Sequence, residues 1–134
     1  MSTDNTFEEL ISGIALGKKW ATGVAKESSS YIEFTREDSY TTLSRKYIEI
    51  KLDFKASSII ALSKSANNTL DTFVIYNTQK CTFTDKPYVL SISYNSGASG
   101  IAFVADDNII KGDNLYRLPL QVTYNQDWKF IAYE

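Results

Sequence analysis

The chain has 134 residues, of which 43 % are apolar and 22 % charged, and its formal net charge at pH 7 is −2. This length and composition predict a single globular domain over residues 1–134, with a hydrophobic core of its own. The slight acidic balance and the scattered basic residues argue against nucleic acid and against an anionic membrane surface as partners.

The amino terminus, Met1 to Asp4, is polar and lacks the basic and apolar regions of a signal peptide. No apolar run of the sequence approaches the length needed to span a membrane. We therefore expect a soluble protein, either cytoplasmic or exported by a route that needs no signal peptide.

The segment from Thr6 to Leu16 is predicted to form a short amphipathic helix. Thr6 and Glu9 have the spacing of a capping box, and Gly17 can close the helix. Its apolar residues follow the i, i+3, i+4, i+7 rule and form one stripe: Phe7, Leu10, Ile11 and Ile14. The stripe either covers one end of a sheet or packs on a second copy of the chain, and both alternatives are open at this point.

The clearest strand pattern runs from Tyr47 to Phe54. Its apolar residues occupy every second position: Ile48, Ile50, Leu52 and Phe54. A strand sends successive side chains to opposite faces, so this spacing predicts one buried face and one charged, solvent-facing one. A helix would scatter the same residues around its circumference.

The rest of the chain is predicted to consist of short strands. Their expected bounds are Trp20–Ala25, Tyr31–Thr35, Ser58–Ser63, Leu70–Tyr76, Tyr88–Tyr94, Ile101–Ala105, Leu118–Tyr124 and Trp128–Tyr133. Residues 36–45 and 106–114 are predicted to be loops, and the last two strands are expected to pair with each other. Short strands at regular spacing with alternating faces predict an all-β antiparallel sandwich over about residues 20–134.

Catalysis has little support in the residues. The chain contains no histidine and a single cysteine, Cys81, so histidine-activated nucleophiles, zinc sites and intramolecular disulfides are not expected. An acidic cluster lacks the spacing of a calcium loop and is expected to form turns: Asp106, Asp107, Asn108, Asp113 and Asn114. We predict a protein that is not an enzyme and has no metal or cofactor.

Aromatic side chains are the remaining candidates for a binding surface. The chain has nine tyrosines and two tryptophans, and a tyrosine ring with a polar tip suits sugar rings and protein interfaces. Most aromatic residues of a β protein are expected to pack in its core or at its rim. Four tyrosines are the first candidates for a binding surface: Tyr31, Tyr47, Tyr116 and Tyr133.

Several segments, taken in order, resemble the fungal immunomodulatory proteins, the small Fve-type lectin-like proteins of mushrooms. They are Thr6-Phe7-x-x-Leu10, Lys18-Lys19, Ser29-Ser30-Tyr31-Ile32-Glu33, Leu43-x-Arg45-Lys46-Tyr47, Tyr94-Asn95-Ser96-Gly97 with Gly100-Ile101-Ala102, Leu120-Gln121-Val122 and Phe130-Ile131-Ala132. The chain departs from the family at Glu33, where the family has aspartate, and at Glu134, where it has tryptophan. It is also longer than the family chains, with the excess between Phe54 and Leu118.

The resemblance implies an immunoglobulin-like or fibronectin-III-like sandwich that dimerises through the amino-terminal helix. The dimer interface would then consist of the helix stripe: Phe7, Leu10, Ile11 and Ile14. The resemblance also implies a glycan site, at Tyr31, Glu33, Leu120 and Tyr133.

Two functional hypotheses follow. The first is a dimeric, lectin-like immunomodulatory protein that engages cell-surface glycans or receptors without catalysis, where two linked weak sites gain avidity. The alternative is a non-catalytic protein-interaction or storage module with the same fold and no glycan site. Agglutination that a simple sugar blocks would favour the first hypothesis, and a silent glycan array would favour the second.

Overall fold

The computed structural model describes residues 19–64, 70–78, 87–93, 99–121, 123 and 126–134. This part of the chain is all-β, and its strands pair antiparallel. The predicted helix Thr6–Leu16, with its stripe Phe7, Leu10, Ile11 and Ile14, lies outside the described residues, as does Cys81.

The described residues form ten strands. Their bounds are β1 Trp20–Lys26, β2 Ile32–Thr35, β3 Thr42–Arg45, β4 Tyr47–Lys51, β5 Ser58–Lys64, β6 Leu70–Asn77, β7 Tyr88–Ser93, β8 Ser99–Val104, β9 Leu115–Pro119 and β10 Asp127–Tyr133.

Six of the strands make the main sheet, in the order β1-β10-β5-β6-β7-β8. The last strand of the chain therefore lies between the first strand and the fifth, which brings both ends of the described chain together. At that end, the Glu134 N–H donates to the Lys19 carbonyl at 2.8 Å.

The other strands make two small ladders, β2-β3 and β4-β9, that complete a sandwich-like arrangement. An isolated bridge between Glu27 and Ile48 connects the end of β1 to β4, and another between Arg36 and Phe103 connects the end of β2 to β8. The β4-β9 ladder packs on the inner face of the main sheet, where the Ser91 hydroxyl donates to the Pro119 carbonyl at 2.8 Å.

The core lies between the main sheet and β4-β9, and its largest fully buried side chains are Trp128, Tyr76, Tyr116, Phe34 and Phe103. Tyr76 of the main sheet meets Tyr116 of β9 with ring centroids 5.3 Å apart. The Tyr116 hydroxyl also accepts a hydrogen bond from the Ala56 N–H at 2.9 Å, so a buried backbone donor is satisfied there.

The predicted face of β4 is confirmed. Ile48 and Ile50 are buried, as are Leu52 and Phe54 just beyond the strand, while Glu49 and Lys51 are exposed. Burial continues past Lys51, where the regular ladder with β9 stops, since Leu52, Phe54 and Ala56 belong to the same hydrophobic core.

Two predictions about other strands are wrong. Residues 36–45 are not all loop, because Thr42–Arg45 forms β3 and pairs with β2. This short strand alternates partly buried and exposed residues and carries only one large aliphatic side chain, Leu43, so its pattern is weak. The final two strands do not pair with each other: β9 spans Leu115–Pro119 and pairs with β4, whereas β10 pairs with β1 and β5.

Because Tyr76 is buried, the fold should lose stability at alkaline pH. Desolvation, reinforced by the neighbouring Tyr116, raises the pKa of Tyr76 from 10.0 to about 12. Because the folded state then holds the phenolic proton at pH values where the unfolded chain releases it, the free energy of unfolding must fall as pH rises from 10 towards 12. Urea midpoints measured over this range should fall less steeply for Tyr76→Phe than for the wild type, and equal slopes would contradict this assignment.

Candidate functional site

Tyr31 presents the most accessible aromatic ring among the residues predicted to bind. Its side chain is 61 % exposed and lies just before β2. The Lys46 ammonium nitrogen lies 5.5 Å from the centroid of this ring. Tyr31 and Lys46 stand one position beyond the Ile32–Arg45 register pair of β2 and β3, so the cation–π contact also joins the ends of the two strands.

Glu33 shares the outward face of β2 with Tyr31, as the period of two predicts, and it is exposed. Its register partner on β3 is Ser44, which is also exposed. Among the described residues, no cationic side chain forms an ion pair with the Glu33 carboxylate. We call this group, Tyr31, Glu33, Ser44 and Lys46, the Tyr31 patch.

Hydrogen bonds fix the backbone on both sides of the Tyr31 patch. On one side, the Asn108 side-chain amide donates to the Glu33 carbonyl at 2.8 Å. On the other, the Ser28 N–H donates to the Tyr47 carbonyl at 2.8 Å, and the Ser28 hydroxyl accepts from the Tyr47 N–H at 3.0 Å. The patch is therefore supported by β4 and by two loops, one between β1 and β2 and one between β8 and β9.

Phe34 anchors the patch from beneath. Its side chain is fully buried and points away from Glu33. Its ring centroid lies 6.0 Å from that of Phe103 on β8 and 6.3 Å from that of Tyr47 on β4, both in edge-to-face geometry. Through these two contacts, Phe34 connects the β2-β3 ladder to β8 and to β4.

Tyr133 does not join the Tyr31 patch. It lies on β10, between β1 and β5, while β2 meets the main sheet at the opposite edge, through β8. Its register partner is Trp20, and both side chains are exposed, at 45 % and 53 %. The structure therefore places Tyr133 in a second aromatic surface, with Trp20.

Leu120 lies behind the Tyr31 patch rather than on it. Its side chain is 1 % exposed, and its N–H donates to the Lys46 carbonyl at 2.9 Å. It can support Lys46 through the backbone, but its side chain cannot reach a ligand at the surface. Of the other tyrosines considered, Tyr116 is buried in the core, and Tyr47 is partly exposed beneath the Arg117 guanidinium, 5.4 Å from the ring centroid.

The acidic cluster forms turns. The Asp106 carboxylate accepts from the Asn108 N–H at 3.0 Å, and the Asp106 carbonyl accepts from the N–H groups of Ile109 and Ile110. Asp113 and Asn114 adopt positive φ angles of 50° and 59°. In the described ranges, no group of three or more histidine, cysteine or carboxylate side chains is arranged to hold a metal ion.

The described strands and loops include no helix that is both long and apolar enough to cross a lipid bilayer.

The resemblance to the fungal family pointed to Tyr31 and Glu33, and the period of two places both side chains on one face. Sequence reasoning missed Lys46, Ser44 and Asn108, since these residues reach the patch through pairings between segments distant in sequence. No local pattern marks them, although Lys46 stands in a segment that resembles the fungal family. Together the four patch residues offer a ring face, a carboxylate acceptor, a hydroxyl and a cation.

Comparison with protein-family models, with curated proteins and with solved structures finds no match to this chain. The resemblance to the fungal immunomodulatory proteins therefore rests on the sequence segments alone.

Proposed function

We propose that this chain is a non-catalytic, lectin-like binding protein that engages neutral glycans through the Tyr31 patch. The observation that carries the proposal is an exposed Tyr31 ring, held by Lys46, beside the outward carboxylate of Glu33. A sugar ring can stack on the open side of Tyr31 while its hydroxyl groups donate to Glu33. Lys46 and Ser44 can donate to sugar oxygens from the adjacent strand.

The resemblance to the Fve-type proteins supports the same proposal. It adds an immunoglobulin-like or fibronectin-III-like sandwich, an amino-terminal helix and cell-surface glycans or receptors as partners. The dimer that it implies, through Phe7, Leu10, Ile11 and Ile14, stays a prediction. If the protein is a dimer, two patches on one particle would gain avidity from linkage, without any additional contact.

Tyr31→Ala should weaken glycan binding about tenfold, because the stacking ring is lost. Glu33→Gln should also weaken it, since a neutral amide replaces the charged acceptor. Both side chains are exposed, so the melting temperature should change little. Binding to a glycan array and agglutination titres, with and without competing sugar, provide the measurement.

Tyr133→Ala is the matched control, because it removes an exposed tyrosine from a different surface. It should leave glycan binding unchanged. Loss of binding in Tyr133→Ala but not in Tyr31→Ala would move the site to the surface that Tyr133 shares with Trp20. A silent array with a folded wild-type protein would instead favour the alternative, a protein-interaction or storage module without a glycan site.

A further inference from the structure

The outer face of the main sheet is apolar, although it points away from the second layer. Side chains alternate along each strand, and the inner set, which includes Tyr76 and Ser91, contacts β9. The outer set aligns in register across β10, β5, β6 and β7 as a continuous row: Ile131, Ile60, Ile75 and Leu90. A second row lies beside it on β5, β6 and β7: Leu62, Phe73 and Ile92.

An antiparallel sheet with its core on one face ordinarily carries polar residues on the other. The β4 strand follows that rule, with Glu49 and Lys51 outside. By contrast, the two central rows of the main sheet contain one charged side chain among the described residues, Lys129, where the second row continues onto β10. A contiguous apolar surface of this kind marks a place where another element packs.

We propose that the predicted helix Thr6–Leu16 of the same chain packs on this outer face. The predicted helix offers one apolar stripe, and the sheet offers two apolar rows. The dimensions also agree: eleven helical residues extend about 16 Å, and four adjacent strands extend about 14 Å across a sheet. One helix therefore covers the row from Ile131 to Leu90 when it lies across the strands.

The described chain begins at this face, and two residues separate it from the end of the predicted helix. Lys19 is fixed at the sheet by hydrogen bonds with Glu134 in both directions: Lys19 N–H to the Glu134 carboxylate at 3.1 Å, and Glu134 N–H to the Lys19 carbonyl at 2.8 Å. The next residue, Trp20, already belongs to the outer face, in the row of Tyr133. Only Gly17 and Lys18 separate the predicted helix from Lys19.

Three peptide steps from Leu16 to Lys19 extend at most about 11 Å. This reach matches the diameter of a helix, so the end of the helix can rest over the β1 and β10 edge of the face. Because this short connection keeps the predicted helix next to its own sheet, the helix meets that face at a higher effective concentration than the face of a second copy. We therefore place it within one chain.

Photo-cross-linking of the full chain tests the proposal. The photoreactive residue p-benzoylphenylalanine replaces Leu10, on the apolar stripe, or Ser12, on the opposite side of the predicted helix, as the matched control. Each variant is prepared with natural and with heavy nitrogen, and equal amounts are mixed in urea and refolded together before irradiation, so that chains of both isotopes can pair. Mass spectrometry of the digested products then identifies both the cross-linked peptide and the chain it came from.

The expected result is a cross-link from position 10 to peptides of β5, β6 or β7, always within chains of one isotope, with a several-fold lower yield from position 12. Products that join light and heavy chains would overturn the proposal in favour of a second copy. Cross-links confined to other surfaces, or equal yields from the two positions, would also overturn it.

A second measurement applies if the photoreactive residue prevents folding. Leu10→Asp in the full chain should raise the fluorescence of the apolar dye ANS several-fold over Ser12→Asp, because the outer face becomes accessible. The sedimentation coefficient should stay that of the wild type. Equal dye binding by the two variants, or dissociation of a wild-type dimer into monomers by Leu10→Asp, would contradict packing within the chain. Packing of this stripe within one chain excludes the dimer through Phe7, Leu10, Ile11 and Ile14 that the resemblance implies. Neither experiment depends on glycan binding, so the glycan-site proposal and the helix proposal fail independently.

Discussion

Ile50→Asp is expected to abolish folding, whereas Lys51→Asp, one residue further along β4, should be tolerated. Ile50 is 1 % exposed and faces the core from the strand that pairs with β9, so a carboxylate at this position would be buried without a partner. Lys51 is exposed, and its ammonium group donates to the Asp113 carbonyl. Loss of one exposed hydrogen bond costs about 0.5–1.5 kcal/mol at most.

Chemical denaturation and circular dichroism distinguish the two variants, which introduce the same side chain at neighbouring positions. Ile50→Asp should show no cooperative transition, or one with a strongly lowered midpoint, and Lys51→Asp should unfold near the wild-type midpoint. Equal midpoints would show that the buried face of β4 is assigned incorrectly.

Phe34→Ala is expected to lower the free energy of unfolding by about 3–5 kcal/mol, the range for truncation of a buried phenylalanine. The loss should be large because Phe34 joins β2 to both β8 and β4 through its contacts with Phe103 and Tyr47. Release of this anchor should also displace the Tyr31 patch, so glycan binding should fall even at temperatures where the variant is folded.

Phe34→Leu serves as the control, because it retains an apolar side chain at the anchor and should cost clearly less than the alanine variant. Urea denaturation monitored by tryptophan fluorescence gives the two energies. A cost below about 1 kcal/mol for Phe34→Ala would contradict the role of Phe34 as the link between layers.

Local patterns predicted the faces of single strands well. The alternation from Ile48 to Phe54 identified the buried and exposed sides of β4 because each position depends only on its immediate neighbours along the chain. The same alternation holds on β2, where Phe34 is buried and Glu33 is exposed. Side-chain period is a property of the backbone itself, and long-range pairing does not change it.

Strand order could not be predicted in this way. Sequence adjacency suggested that the last two strands pair, but β10 inserts between β1 and β5, and β9 pairs with β4. The arrangement of the candidate site could not be predicted for the same reason. Tyr133 was expected near Tyr31 but lies beside Trp20. Lys46 reaches the Tyr31 patch directly after β3, a strand too short and too polar to show a clear period.

The outer face of the main sheet illustrates a related limit. β5 and β6 carry apolar side chains on both faces. From the sequence alone, either face could be the one that packs in the core. Only the register shows that Ile60, Ile75 and Leu90 form one row facing away from β9. This row is complementary to the apolar stripe of the predicted amino-terminal helix.

The most direct test of glycan binding by the Tyr31 patch is a titration of nitrogen-15-labelled protein with the best glycan from the array, followed by amide chemical shifts. Our account predicts shifts concentrated at residues 31–33 and 44–46, saturating with one affinity. Shifts concentrated at Trp20 and Tyr133, with residues 31–33 unchanged, would contradict it.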